Sequence, residues 1–128
     1  MTIPIKIEYT AIELFQKDLK DLLKKYRTLE EDLEVTKRDA IELYHLKHID
    51  NHSVFPMQGF CAEKIKIYKI KKFACKALKG RGAKSGIRVI YAFYCQSYKV
   101  ELLEIYYKER NDTDCDYRRI KDYLKNFV

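Results

Sequence analysis

The sequence contains no apolar run approaching the roughly 20 residues that a membrane-spanning helix needs, and only four glycines and two prolines. Membrane and collagen-like classes are therefore excluded. The four cysteines, Cys61, Cys75, Cys95 and Cys115, form no C-x-x-C pair. The opening Met-Thr-Ile-Pro-Ile-Lys-Ile-Glu-Tyr alternates apolar and polar residues, so a strand is expected there and not an export signal. A cytoplasmic chain with reduced thiols follows, not a disulfide scaffold. There is no G-x-x-x-x-G-K-[ST] phosphate loop, and Lys79-Gly80-Arg81-Gly82 is too short for one. His45, His48 and His52 are three and four residues apart, but the helix ends near His48 and no glutamate stands as in a zinc protease. No metal and no cofactor is expected.

What is present is one domain's worth of chain: 128 residues, 47% hydrophobic and 35% charged. The net charge of +7 is unevenly spread. Residues 1–50 hold 9 Lys/Arg against 11 Asp/Glu, whereas residues 51–128 hold 17 against 8. Lys64 to Arg88 contains ten cations and no acid. A one-sign stretch repels itself unless an anion lies against it, and aromatics and glycines interleave this one, which points to a polyanionic partner.

Ile3, Ile5, Ile7 and Tyr9 alternate with polar residues and predict a strand over residues 2–9. Thr10 with Glu13, and Thr28 with Glu31, have capping-box spacing and predict helices over 10–26 and 29–46, each with one apolar stripe. Residues 47–62, with Asn51, Pro56 and Gly59, read as a loop. The Ile/Tyr/Phe-rich stretch from Lys64 to Cys75 slips phase between Ile67 and Ile70, predicting a bulge or two short strands. Gly80, Gly82, Ser85 and Gly86 mark a hairpin turn. Alternating residues then predict a strand from Ile87 to Tyr94, a turn near Gln96–Ser97 and a further strand through Tyr107. Cys75 and Cys95 are candidates to face each other across the sheet. Asp112 and Asp114 are candidate caps for a last helix with the stripe Tyr117, Ile120, Leu124 and Phe127. The expected fold is α+β: an N-terminal strand and helical hairpin on a mostly antiparallel sheet of about four strands, with a short C-terminal helix.

Cations on both arms of a strand–turn–strand make an anion-binding surface. Lys76, Lys79, Arg81 and Lys84 are candidate phosphate contacts, and the guanidinium fork of Arg88 suits bidentate phosphate binding. Tyr91 and Phe93 read as core, whereas Tyr107 and Lys108 read as surface-site candidates. RNA cleavage by the adjacent 2′-hydroxyl needs a base, charge on the phosphorane oxygens and an acid for the leaving oxygen. The basic region has no histidine, so a lysine among crowded cations would serve instead. Such a site needs a partner such as the ribosome to orient its substrate.

The stretch Phe73-Ala-Cys-Lys-Ala-Leu-Lys-Gly-Arg-Gly-Ala-Lys-Ser-Gly-Ile-Arg-Val-Ile-Tyr91, followed by Glu101-Leu-Leu-Glu-Ile-Tyr-Tyr-Lys108, resembles the RelE/ParE superfamily of type II toxin–antitoxin toxins, in its RelE/HigB-like branch. The upstream Phe15-Gln-Lys-Asp-Leu-Lys-Asp-Leu-Leu-Lys-Lys-Tyr26 is similar to the family's first helix. The resemblance covers roughly residues 5–125. It implies a ribosome-dependent mRNA endoribonuclease that needs no metal. On this resemblance Lys69 and Lys71 match two functional lysines, Arg88 the central arginine, Lys108 or Arg110 a second arginine, and Tyr117 a C-terminal tyrosine. It also implies a cognate antitoxin laid over the basic face or displacing residues 115–127. Two other functions remain open: inhibition of DNA gyrase, and an inactive relative that binds only antitoxin or RNA.

Overall fold

The computed structural model describes residues 6–78, 85–109 and 113–127. The first described strand, β1, covers Glu8–Ala11 and leaves out residues 6 and 7, while residues 2–5 of the expected strand lie outside the described residues. The helix α1 (Glu13–Leu23) begins after Ile12, not Thr10. Thr10 lies within β1, where its hydroxyl donates to Glu101 Oε2 at 3.1 Å. The strand partner thus takes the group that the capping-box spacing assigned to the helix. Thr28 does stand at the N-cap of α2 (Leu29–Thr36), but its hydroxyl makes no capping bond. It donates to Asp32 Oδ2 at 2.7 Å and accepts from the Ala77 N–H at 2.9 Å. The helical path continues through a π-helical stretch, Lys37–Glu42, into α3 (Leu43–His45).

Much of the expected loop is a strand. β2 covers Val54–Ala62 and pairs antiparallel with β3 (Ile65–Ile70). Pro56 has no N–H to donate, which an edge strand tolerates. Gly59, at φ +82°, sits in the register shift between Pro56 and Cys61. The residues that read as loop punctuation are those of a bulged edge strand. With β4 (Ile87–Tyr94) and β5 (Lys99–Tyr107) the described sheet has five strands in the order β1-β5-β4-β3-β2, the mostly antiparallel α+β arrangement expected. Among the described strands only the β1–β5 pair is parallel. The last helix, α4 (Tyr117–Leu124), is capped by Asp116, which accepts from the Arg119 N–H at 3.1 Å. Asp114 is committed elsewhere, and Asp112 lies outside the described residues.

Each face of the sheet carries its own core. Tyr68, Ile70, Val89, Tyr91, Phe93 and Ile105 pack with Phe15, Leu29, Leu33 and Ile41 beneath α1–α3. Ile65, Ile67, Ile90, Ala92 and Leu103 pack with Ile120, Tyr123 and Leu124 of α4. This double burial accounts for the apparent phase slip in β3. That strand pairs with β4 without a register shift, and Ile67 and Tyr68 are buried on opposite faces. Besides the bulge in β2, the ladder is interrupted in β5, where Leu103 is extra between Leu102 and Glu104. Cys75 and Cys95 do not face each other. Cys75 lies beyond β3 with its Sγ 3.9 Å from the Thr28 hydroxyl, Cys95 follows the far end of β4, and all four thiols are free.

His45 is a core residue, stacked on Phe93 with ring centroids 3.8 Å apart and sharing a 2.8 Å hydrogen bond with the Tyr91 hydroxyl. Burial, and then the nearby His48, lowers its pKa from 6.5 to about 4. The folded state therefore binds this proton less readily than the unfolded chain. Its contribution is complete above pH 6.5 and falls as pH drops toward 4, by about 1.4 kcal/mol per pH unit. Urea unfolding at pH 7 and pH 5 is expected to differ by about 2 kcal/mol from this group alone. A His45→Phe chain should be less stable at pH 7, because the Tyr91 hydroxyl loses its partner, yet lack this slope, so its deficit should shrink by about 2 kcal/mol at pH 5.

Candidate nucleic-acid interface

The face that is apolar beneath α4 becomes cationic at one end, and strand register explains why. Lys69 pairs with Ile90 and Arg88 with Tyr106, so all four side chains share the α4 face. The apolar run Ile65, Ile67 is continued in the same phase by Lys69 and Lys71, just beyond the reach of α4. Three strand ends converge there: the end of β3, the start of β4 and the end of β5.

The Ser85-Gly86-Ile87-Arg88 sequence has a local structural role in this. The Ser85 hydroxyl donates to the Phe73 carbonyl and accepts from the Ile87 N–H at 3.1 Å, which fixes where β4 begins. Gly86 adopts φ +91°, and a Cβ there would stand 2.9 Å from the Tyr107 ring, so neither conformation nor space admits a side chain. Its carbonyl accepts from the Lys108 N–H at 2.8 Å, holding the strand that carries Lys108 beside the one that carries Arg88. Arg88 Nη1 donates to the Lys71 carbonyl at 2.8 Å, which orients the guanidinium.

The result is an open cleft of about 580 Å³ lined by Lys69, Lys71, Arg88, Tyr106, Lys108, Thr113 and Asp114. Among the described residues four cations face one carboxylate, and that carboxylate is engaged. Asp114 Oδ1 accepts from Lys69 Nζ at 2.9 Å, and Oδ2 accepts from the Tyr117 hydroxyl at 2.5 Å. Burial, the largest single influence, pushes the Asp114 carboxyl up, but the bonds from Tyr117, Lys69 and the Cys115 N–H, with the charge of Lys69, together outweigh it and hold the carboxyl well below the usual carboxylate range. The bond to Asp114, then burial, pushes the Tyr117 phenol up. Burial, then Cys115 and nearby carboxylates, pushes the Tyr106 phenol up, despite the opposing charge of Arg88. Both phenols therefore keep their protons at neutral pH and act as hydrogen-bond donors.

Of the residues singled out in the sequence, the fold brings Lys69, Lys71, Arg88 and Lys108 to this cleft and places Tyr117 at its rim through Asp114. Two others lie elsewhere. Lys76 pairs with Glu31 of α2 at 3.6 Å. Tyr107 turns to the opposite face because strand residues alternate, and its ring centroid lies 5.6 Å from that of Tyr26. Lys79, Arg81, Lys84 and Arg110 lie outside the described residues. Sequence reasoning offers Tyr106 only as one of several rings able to stack on bases, and it missed Thr113 and Asp114 as cleft residues. The Arg88–Tyr106 pairing that brings Tyr106 in is a matter of register, and Asp114 has the outward look of a helix cap. Among the described residues no group of three His, Cys, Asp or Glu is placed to hold a metal, and no helix is long and apolar enough to cross a membrane.

Because Asp114 occupies Lys69, its removal should favour polyanion binding. Asp114→Asn is expected to tighten binding of a short RNA several-fold and to steepen its salt dependence, since one more ammonium becomes available to phosphate. Fluorescence anisotropy at two salt concentrations measures both, and unchanged affinity would mean that Asp114 does not compete for Lys69.

Comparison with known proteins finds no matching protein-family model and no matching curated protein. Among solved structures, the chain is similar to one in the crystal structure of an archaeal RelE–RelB complex from Pyrococcus horikoshii OT3. The identity is 14% and the TM-score 0.49, with 83% of this chain and 99% of that chain covered.

Proposed function

We propose that this chain is the toxin of a toxin–antitoxin pair and cuts mRNA on the ribosome. The observation that carries the reading is the convergence of Lys69, Lys71, Arg88 and Lys108 on one open cleft where, among the described residues, the one lining carboxylate is already bonded. The sequence resemblance noted above supports the same reading.

In this mechanism a phosphodiester sits in the cleft. The ribose 2′-oxygen attacks phosphorus and the 5′-oxygen leaves, giving a 2′,3′-cyclic phosphate and a 5′-hydroxyl end. Arg88, with Lys71 and Lys108, balances the charge that builds on the phosphorane oxygens, commonly the largest single contribution to such a rate. Lys69 or Lys71, in the deprotonated form that a base requires, takes the proton of the 2′-hydroxyl as that oxygen attacks. Tyr106 offers a phenolic proton on the same wall. No histidine lines the cleft, and His45 is sequestered in the other core. A centre of this kind is slow alone, and the ribosome supplies the alignment of the 2′-oxygen with the leaving oxygen. An acidic antitoxin segment lying over the cleft would silence it, with charge setting mainly the rate and salt sensitivity of association.

The test is expression of the wild-type chain in a bacterial host, with mRNA 5′ ends mapped with and without active translation. Growth arrest with translation-dependent cuts is the expected result. Arrest without cuts would sink the nuclease reading in favour of a gyrase-type target, and harmless expression would leave an inactive binding protein.

A further inference from the structure

Lys71 lies one residue past the end of β3, beyond the last β3–β4 pair of Ile70 and Val89. Its side chain is exposed, and a free lysine stem has many rotamers to lose. Lys69 is fixed by Asp114, and Arg88 by a carbonyl. What meets the Lys71 ammonium is an aromatic face: its Nζ lies 4.6 Å from the centroid of the Phe55 ring. Phe55 pairs with Lys69 in β2, so Lys71 is its diagonal neighbour on the same face, within reach of a ring and a long side chain. The main chain of Lys71 is fixed by the same segment, since its N–H donates to the Ser53 carbonyl at 3.0 Å. The Ser53 N–H in turn donates to Asn51 Oδ1 at 3.1 Å, and Asn51 Nδ2 donates at 2.8 Å to the Asp39 carbonyl of the π-helical stretch. The Lys71 carbonyl is the group that orients Arg88.

We propose that the segment leading into β2, residues 51–55, is a positioning element for the cleft: Phe55 aims the Lys71 ammonium, and Ser53 holds the main chain that carries Lys71 and orients Arg88. The inference rests on the nuclease reading above and deepens it. Phe55 is not among the described residues that line the cleft, so it acts through Lys71 as a positioning residue. A ring suits this task where a carboxylate would not. It attracts a cation through its quadrupole yet sets no negative charge beside the substrate phosphate. The cleft thus holds one lysine bonded to an internal anion, and a second that is aimed but still open to phosphate. Aim matters because a misplacement of roughly 1 Å near reacting atoms is enough to lower a rate strongly.

Phe55→Leu removes the ring but keeps an apolar side chain, and Phe55→Tyr keeps the ring. Carbon–proton NMR spectra of the full chain give a readout separate from activity, with Lys71 assigned by its loss in Lys71→Arg. Ring current should move the Lys71 ε-methylene protons upfield in the wild type and in Phe55→Tyr, and Phe55→Leu should return them to the ordinary lysine position. On translating ribosomes, Phe55→Leu should lower kcat for mRNA cleavage about 5-fold with KM unchanged, and Phe55→Tyr should restore it. An ordinary Lys71 position in the wild type, or Phe55→Leu cutting at the wild-type rate, would overturn the positioning role alone. So would a Phe55→Leu chain that loses melting temperature while its Lys71 resonance stays where it was. A wild-type chain that cuts no mRNA on translating ribosomes would overturn the nuclease reading, and this role with it.

Discussion

An Arg88→Ala chain is expected to lose about 10²- to 10³-fold in the rate of mRNA cleavage on translating ribosomes, and with it the growth arrest. The argument is geometric. Arg88 opens β4 at a position set by Ser85 and Gly86, and its Nη1 bond to the Lys71 carbonyl holds the guanidinium over the cleft. Preorganised charge of this kind has its full effect at the transition state because nothing need move when charge develops. Arg88→Lys retains the charge but loses the planar fork and the anchoring bond, so it should recover only part of the activity. The side chain is half-buried and carries no core packing, so the melting temperature should move little in either variant. Measured cleavage within a few-fold of wild type in Arg88→Ala would remove Arg88 from the mechanism.

Arg119→Leu is expected to lower the melting temperature by about 10 °C, for a loss of about 3 kcal/mol. Beyond Leu102, β5 has no β1 residue beside it, and the Ile105 N–H reaches Asp18 Oδ2 at 3.4 Å instead. Arg119 comes from α4 across this open edge. It donates to Asp18 Oδ2 at 2.6 Å and to the Leu103 carbonyl at 2.9 Å. Its side chain is 12% exposed, and that of Asp18 is 22% exposed. Removing the cation strands Asp18 close to Glu104, which is itself shielded from solvent and already pushed above its ordinary pKa, chiefly by burial. The penalty is that of an uncompensated charge, not of one lost bond. Adding Asp18→Leu should therefore return part of the stability. A double change that is additive would show that the two residues do not act as a pair. Freed of this clamp, α4 would still be held by Tyr123, whose hydroxyl donates to Glu101 at 2.6 Å, and by the Glu104 bond to the Asp116 N–H.

The strands with clean alternation were legible because period two needs no tertiary information: β4 and β5 fall where the residues predict. β2 was not legible, because Pro56 and Gly59 carry the same local signal in an edge-strand bulge as in a loop. The apparent irregularity of β3 arose from reading one buried face where there are two. The capping-box spacing placed the start of α2 but not that of α1, and neither threonine hydroxyl caps its helix. A threonine hydroxyl bonds to whatever acceptor the fold delivers, and Glu101 and Asp32 were delivered from other elements or positions.

The candidate site divides the same way. Sequence alone determined the supply of charge: ten cations without an acid between Lys64 and Arg88, and the glycine and serine that set the start of the arginine strand. Only the tertiary structure decided which cations meet. Register placed Arg88 opposite Tyr106, and side-chain alternation put Lys69 and Lys71 on the cleft face and sent Tyr107 to the other core. The chain's return after β5 carried Asp114 onto Lys69 and set Tyr117 against Phe60. These are contacts between residues as many as 57 positions apart. Composition and local pattern specify what each segment offers, but a pairing across that distance follows from packing both faces of the sheet at once.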